Sequence, residues 1–335
     1  MKHTTALNTV SILLACCLLV ALATGSAVSA EKSTVKGRIP VILDTDIGGD
    51  IDDTWALILL LKCPELDVKL IVGDHGKPVY RASLIAKLLE TAGRTDIPVG
   101  VGVGDDRKVE GRQDEWLKGY DLASYPGKVY EDGVQAMIDT ILKSPEPITL
   151  IAVGPLPNIK VALEREPRIA EKARFVGMHG SVRKGYGGSS KISAEWNVRA
   201  DAKACQKTLS APWDITITPL DTCGLVHLRG KKYAAVRDCR APLIRALVEN
   251  YRIWLKKGGG DTKRADRASS TLFDTVAVYL AFTQDLCKME TLPIRVTDDG
   301  KTVIDPAANK MSVATEWKDM GAFEDFLVER LTGKQ

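Results

Sequence analysis

Short β-branched runs alternate with longer segments of helical period along most of this chain, and that alternation restricts its folds more than any other feature. "IPVILD" (39–44) reads as a strand and "DDTWALILLLKC" after it as a helix. "VKLIVGD" (68–74) is the next strand, and "VYRASLIAKLLETAG" follows as a helix that gathers Leu84, Ile85, Leu88 and Leu89 on one face. The cycle continues through "IPVGVG", "EDGVQAMIDTILKS", "ITLIAVG" (148–154), "LPNIKVALERE", "RFVGMHG", "DAKACQKTLS" and "DITITPLD". Such alternation predicts an α/β fold with an open, mostly parallel central sheet flanked by helices on both faces. After residue 230 the pattern is mainly helical, in "APLIRALVENYRIWLKK" and "TLFDTVAVYLAF", and the last strands are expected in "PIRVTDDGKTVID" and "MSVATEW". No Pro/Gly-rich linker divides the chain, so residues 31–335 read as a single domain.

The first thirty residues differ. Lys2 leads into the apolar stretch "SILLACCLLVALA", and "AVSA" ends in small residues just before Glu31. This predicts a signal peptide over residues 1–30, cleaved after Ala30, and an exported protein. The apolar stretch is short beside the roughly 20 residues of a membrane span, so no membrane span is expected. The weaker alternative takes "LLAC" as a lipobox with Cys16 lipidated. Without the leader the formal charge falls from +3 to +2, because only Lys2 is lost, and near-neutrality argues against nucleic acid as a partner. Five cysteines remain, Cys63, Cys205, Cys223, Cys239 and Cys287, with no C-x-x-C pair that would suggest zinc. Export permits disulfides, but an odd count leaves at least one thiol free.

Between the first strand and the first helix lies "DTDIGGDIDD", with Asp44, Asp46, Asp50, Asp52 and Asp53 within ten residues. Open α/β sheets bind ligands at the carboxyl ends of their strands, which is where this segment falls. Gly48 and Gly49 permit a tight turn, and Asp52 and Asp53 open a helix whose dipole favours negative charge. One aspartate there is ordinarily an N-cap. Five exceed what capping needs. A hard divalent cation explains the excess, since calcium takes six to eight oxygen ligands and offsets repulsion among carboxylates.

In this respect the chain resembles the inosine-uridine preferring nucleoside hydrolases, whose opening motif "DTDIGGDIDD" matches in its longer form. "ITLIAVGPLPNIKVALEREPRIAEKARFVGMHG" (148–180) is similar to the family's run of strand, G-P-L-x-N turn, helix and strand, and "SAEWNVRADAKA" (193–204) to its A-E-[FWY]-N segment. "AGRTDIPVGVG" and "ITPLDTC" fit as well, so the likeness extends from about Pro40 to Val278. The resemblance implies a Rossmann-like nucleoside hydrolase fold, calcium as cofactor, a ribonucleoside as substrate and a homodimer or homotetramer as the assembly.

It also implies roles. Asp46 corresponds to the ligand that doubles as general base, Asp53 and Asp274 to further calcium ligands, and Val153 to the residue whose main-chain carbonyl completes the set. Asp52, Glu195 and Asn197 match the residues that hold the ribose hydroxyls. The chemistry is coherent: N-glycosidic cleavage passes through an oxocarbenium-like state, and water whose pKa a metal lowers can attack the anomeric carbon as Asp46 takes its proton.

Three positions depart from the family. Phe273 stands where many members have a histidine that protonates the leaving base, and none of His3, His75, His179 and His227 occupies that place. Ser189 stands near the position of another ribose-binding asparagine, and Asp74, in "VGDHG", where the family has G-N; Asp74 is retained as a substrate contact. Some purine-specific members also lack the histidine and carry an aromatic side chain that stacks on the base. Phe273 can do the same, with Trp116 or Trp196. The plainer alternative makes Phe273 a core aromatic. Trp116, in the polar stretch "RQDEWLKGYDL", reads as an exposed lid residue.

Two other functions fit parts of the sequence. A strand ending in "LDTD" suits a haloacid-dehalogenase-type phosphatase, but Gly48 stands where that family wants Thr or Val, and "AEWN" has no place in it. A non-catalytic nucleoside-binding or ribose-binding protein would tolerate the lost histidine, but it has no use for the base Asp46.

Overall fold

The apolar run before the aspartates forms strand β1 (Ile39–Thr45), buried from Pro40 onward. The computed structural model describes residues 37–104 and 111–333. The leader expected at residues 1–30, and Cys16 within it, lie outside the described residues. Residues from Gly37 onward form one compact unit.

Parallel to β1 on one side run β2 (Leu66–Gly73), β3 (Val99–Val101) and β4 (Val129–Tyr130). On its other side run β5 (Ile148–Ala152), β6 (Ala173–Met178) and β7 (Ile215–Thr218), again parallel. Three later strands close this edge. β10 (Lys310–Trp317) is parallel to β7, β8 (Cys287–Val296) antiparallel to β10, and β9 (Thr302–Ile304) antiparallel to β8. The order among the described residues is therefore β4-β3-β2-β1-β5-β6-β7-β10-β8-β9. This is the expected mostly parallel sheet. β4, two residues long, gives no periodic signal and was not expected from the sequence.

Successive residues of β1 face opposite layers: Val41 and Leu43 join one apolar cluster and Ile42 the other. The first cluster includes helices α1 (Asp52–Leu61), α2 (Pro78–Thr91), α9 (Pro242–Lys257), α10 (Phe273–Leu280) and α11 (Met320–Thr332); the second includes α3 (Gly133–Lys143), α4 (Pro157–Arg165) and α7 (Ala202–Leu209). All ten residues of α1 are buried, which explains why its sequence from Trp55 on is apolar on every side rather than striped. The five described cysteines are all free thiols. No helix among the described residues is long and apolar enough to cross a membrane.

Strand growth reverses direction between β1 and β5, and the crevice opened there at the carboxyl ends is the usual ligand site of such sheets. Asn158, at the start of α4, ties this crevice together. Its Nδ2 donates to Asp44 Oδ1 (2.7 Å) and to the Gly73 carbonyl (3.1 Å), and its Oδ1 accepts from Val103 N (2.6 Å). Asn158→Ala would leave these buried groups unmatched, at about 1–3 kcal/mol for each group that finds no new partner. The expected loss of stability is about 2–4 kcal/mol in urea unfolding.

Candidate active site and metal centre

A cavity of about 540 Å³ opens at the switch point. β1 ends in Asp44 and Thr45, and the chain then turns through Asp46 to Asp50 into the first turn of α1, which begins with Asp52 and Asp53. Gly48 has φ +98°, and a Cβ there would come within 2.5 Å of Leu84 and Tyr80, so glycine is needed for both the turn and the packing. Tyr80 Oη donates to the Gly48 carbonyl (3.2 Å) and Trp254 Nε1 to that of Gly49 (3.0 Å), so the turn is held from two helices. Thr45 Oγ1 donates to Asp53 Oδ1 at 2.5 Å.

α10 brings Asp274 to the same place from far along the chain. Carboxylate oxygens of Asp52, Asp53 and Asp274 lie within 4.8 Å of one another, and all three residues are buried. Burial, followed by repulsion from neighbouring aspartates, holds each of these carboxyls well above the usual carboxylate range. All three open helices whose N-terminal dipoles favour negative charge, but that does not remove their mutual repulsion. A cation would. The donor set is oxygen alone, and Asp46 and Val153 line the same cavity, so the residues fit a hard metal ion. Asp52, which the resemblance places at the ribose hydroxyls, shares this carboxylate group with Asp53 and Asp274, and Asp46 lines the same cavity.

Glu195 caps α6 (Trp196–Ala200) and accepts from Asn197 N (2.8 Å), Gly180 N (3.1 Å) and Val198 N (3.3 Å). Burial pushes its carboxyl up to about 7, against the pull of those amides. Asn197 Nδ2 donates to the carbonyls of Val153 and Met178, both at 3.0 Å, and so fixes the end of β5 against the end of β6. Phe273 is half-buried: one edge packs on the core, and the ring also lines the cavity. Trp196, 50% exposed, lines it from the rim.

Two expected substrate contacts are placed elsewhere. Asp74 is fully buried behind the cavity and is not among its lining residues. Its carboxylate accepts from Leu156 N (3.0 Å) and Asn158 N (3.5 Å) and so caps α4 from just beyond the end of β2, a task that sequence position alone does not reveal. Trp116 is 9% exposed rather than an open lid residue. Its segment folds back on α2, where Lys87 Nζ sits 4.5 Å from the ring centroid. Ser189 is exposed, accepts from Lys191 N through its Oγ and does not line the cavity.

The cavity also has walls to which the sequence reading assigned no individual site role: Asp50, His75, Arg81, Arg112, Met178 and Tyr186. Tyr186 meets Phe273 edge-on, with ring centroids 6.1 Å apart at 84°, and its Oη accepts from Trp196 N (2.9 Å). A lone aromatic in the Gly/Ser-rich "KGYGGSS" was the available signal for it. His179, by contrast, is wholly buried behind the site. Its Nε2 is 2.9 Å from the Gly154 carbonyl, and burial lowers its pKa to about 4, so it is neutral near pH 7.

The sequence model of the inosine-uridine preferring nucleoside hydrolase family matches residues 41–325. The non-specific ribonucleoside hydrolase RihC of Klebsiella pneumoniae subsp. pneumoniae is 30% identical over 228 residues, which is 64% of this chain and 73% of that protein. RihC of Escherichia coli O127:H6 is 30% identical over 230 residues, with the same shares covered. Among solved structures, the plant nucleoside hydrolase PpNRh1 superposes with a TM-score of 0.75 at 23% identity, covering 88% of this chain and 99% of its own. A purine-preferring ribonucleoside hydrolase from Gardnerella vaginalis gives 0.72 at 21%, covering 88% and 98%. At these identities the two structures share the fold.

Proposed function

Since the chain belongs to the inosine-uridine preferring nucleoside hydrolase family and is a nucleoside hydrolase, we propose that it is an exported, calcium-dependent enzyme that cleaves ribonucleosides into ribose and free base. The observation that carries this reading is the convergence of Asp46, the Asp52, Asp53 and Asp274 carboxylates, Glu195, Asn197 and an aromatic wall on one cavity. The phosphatase alternative falls with the family assignment. Export rests on the leader at residues 1–30, and assembly as a homodimer or homotetramer belongs to the same reading.

Asp46, Asp53, Asp274 and the Val153 carbonyl would hold the calcium, with Asp52 next to them. Bound there, calcium would offset the repulsion among the carboxylates and act as a Lewis acid toward water and the ribose hydroxyls. Asp46 removes a proton from the water that attacks the anomeric carbon. Asp52, Glu195 and Asn197 hold the ribose hydroxyls, and fixing several contacts at once is what makes such positioning effective. The N-glycosidic electron pair leaves with the base. In a purine, N7 takes a proton from solvent, which compensates for the absent histidine acid.

Phe273, with Tyr186 edge-on behind it and Trp196 at the rim, would stack on that base. Purine nucleosides are therefore expected to be cleaved faster than pyrimidines. Ribose release across a panel of inosine, adenosine, guanosine, uridine and cytidine tests both claims: no release from any of them removes the hydrolase reading, and a preference for uridine removes the stacking role. Phe273→Ala should cost roughly ten-fold on purine nucleosides, since aromatic contacts are worth about 0.5–1.5 kcal/mol beyond burial. It should cost little on a ribosyl substrate with an activated leaving group. A variant with unchanged kinetics and only a lower melting temperature would make Phe273 a packing residue.

A further inference from the structure

Among the described residues, Arg81 in α2 is the one fully buried cation, 1% exposed, and it lines a cavity otherwise rich in carboxylates. Its hydrogen bonds to described residues go to main-chain carbonyls and not to those carboxylates. Nε donates to His75 O at 2.5 Å, and Nη1 donates to Ile47 O at 2.7 Å and also to Asp46 O. These carbonyls belong to two different connectors, one leaving β1 and one leaving β2, so a single planar guanidinium staples the carboxyl ends of neighbouring strands. A Cβ built on Gly49 would lie 3.8 Å from both Arg81 Nη1 and Asp46 Oδ2, so the guanidinium and that carboxylate both approach the same turn residue. His75 has φ +54°, a left-handed conformation uncommon for a residue with a side chain and costly unless its surroundings favour it. The Arg81 bond to the His75 carbonyl is one such constraint.

We propose that Arg81 is a positioning residue for the hydrolytic step: by bridging the Asp46, Ile47 and His75 carbonyls it fixes the direction in which Asp46 presents its carboxylate. This rests on the reading of Asp46 as the base. The device depends on fork geometry. A lysine ammonium carries the same charge on a single point and cannot span three carbonyls in one plane. Removing the fork leaves the Asp46 side chain in place but free to swing, and misplacement by about 1 Å costs on the order of 10²-fold in rate.

The test compares wild type, Arg81→Lys, and Arg81→Ala with and without guanidinium ion at a concentration too low to denature. It reads kcat and KM at saturating calcium, the calcium-binding isotherm of the metal-free protein, and thermal unfolding. Arg81→Lys is expected to lose roughly 10²-fold in kcat with KM changed by less than about three-fold. Both variants should unfold cooperatively and bind calcium. Added guanidinium, but not methylammonium, should restore part of the kcat of Arg81→Ala. Arg81→Lys within about three-fold of wild-type kcat would show that charge alone suffices and overturn the proposal. So would a loss of kcat that tracks the unfolded fraction or the loss of bound calcium. An inactive wild type overturns the hydrolase reading and this proposal together, whereas an active wild type with a fully active Arg81→Lys overturns the positioning role alone.

Discussion

Asp46→Asn is expected to lower turnover by roughly 10²–10⁴-fold, the range typical of a lost general base, with a much smaller change in substrate affinity. The amide matches the carboxylate in shape, so the turn and its hydrogen bonds to Arg81, Tyr80 and Trp254 should survive. What disappears is the ability to take a proton from the attacking water. Asparagine keeps one oxygen as a potential metal ligand, and Asp52, Asp53 and Asp274 remain clustered. Calcium binding should therefore weaken while persisting, and turnover should stay low even when calcium saturates. Pre-steady-state mixing with a ribonucleoside separates the two effects. Turnover within a few-fold of wild type would move the base to another residue of the cavity.

The second large effect is expected from metal removal. Exhaustive chelation should abolish ribose release, by about 10²-fold or more, since a Lewis acid supplies several kcal/mol of charge stabilisation. Calcium should restore activity. Magnesium should restore less, because it demands near-octahedral geometry and gives up its water reluctantly. Equal activity before and after chelation would remove the metal from the mechanism. The same carboxylates set a pH dependence for the metal-free protein. Burial raises Asp52, Asp53 and Asp274 above the usual carboxylate range. Between that range and their raised values the native state therefore holds more protons than the unfolded chain. Stability of the metal-free protein should fall as pH rises through this window. Calcium binds the ionised form, so its affinity should rise over the same window and offset the loss. Urea titrations with and without calcium at several pH values read both trends.

The leaving-group end of the cavity shows how far residue type alone could carry the reading. Phe273 was singled out because it replaces a histidine, and the structure places it half-buried at the cavity wall. Trp116 was singled out because tryptophan in a polar stretch suggests exposure, yet its ring is covered by α2 and Lys87. The local sequence of the two residues does not distinguish these fates. The covering atoms come from about thirty residues away, as in the Lys87 Nζ hydrogen bond to the Trp116 carbonyl. Asp74 makes the same point for polar groups, since its partners Leu156 and Asn158 lie more than eighty positions further along.

The sequence by itself determined the alternation of strands and helices, the burial of β1 and α1, and the place of the aspartates at a strand end. Each of these follows from periods of about two or 3.6 residues and from turn chemistry within a few positions. Its resemblance to the family also marked Asp274, Glu195 and Asn197. Only the tertiary structure decided which side chains share the cavity: that Asp52 joins Asp53 and Asp274, that Tyr186 backs Phe273, that Asp74 caps a helix, and that Arg81 staples two connectors. The physical reason is that these contacts join residues brought together by strand order. The β1–β5 neighbours that form the crevice are separated by three other strands in the chain, and no local period encodes which strands become adjacent.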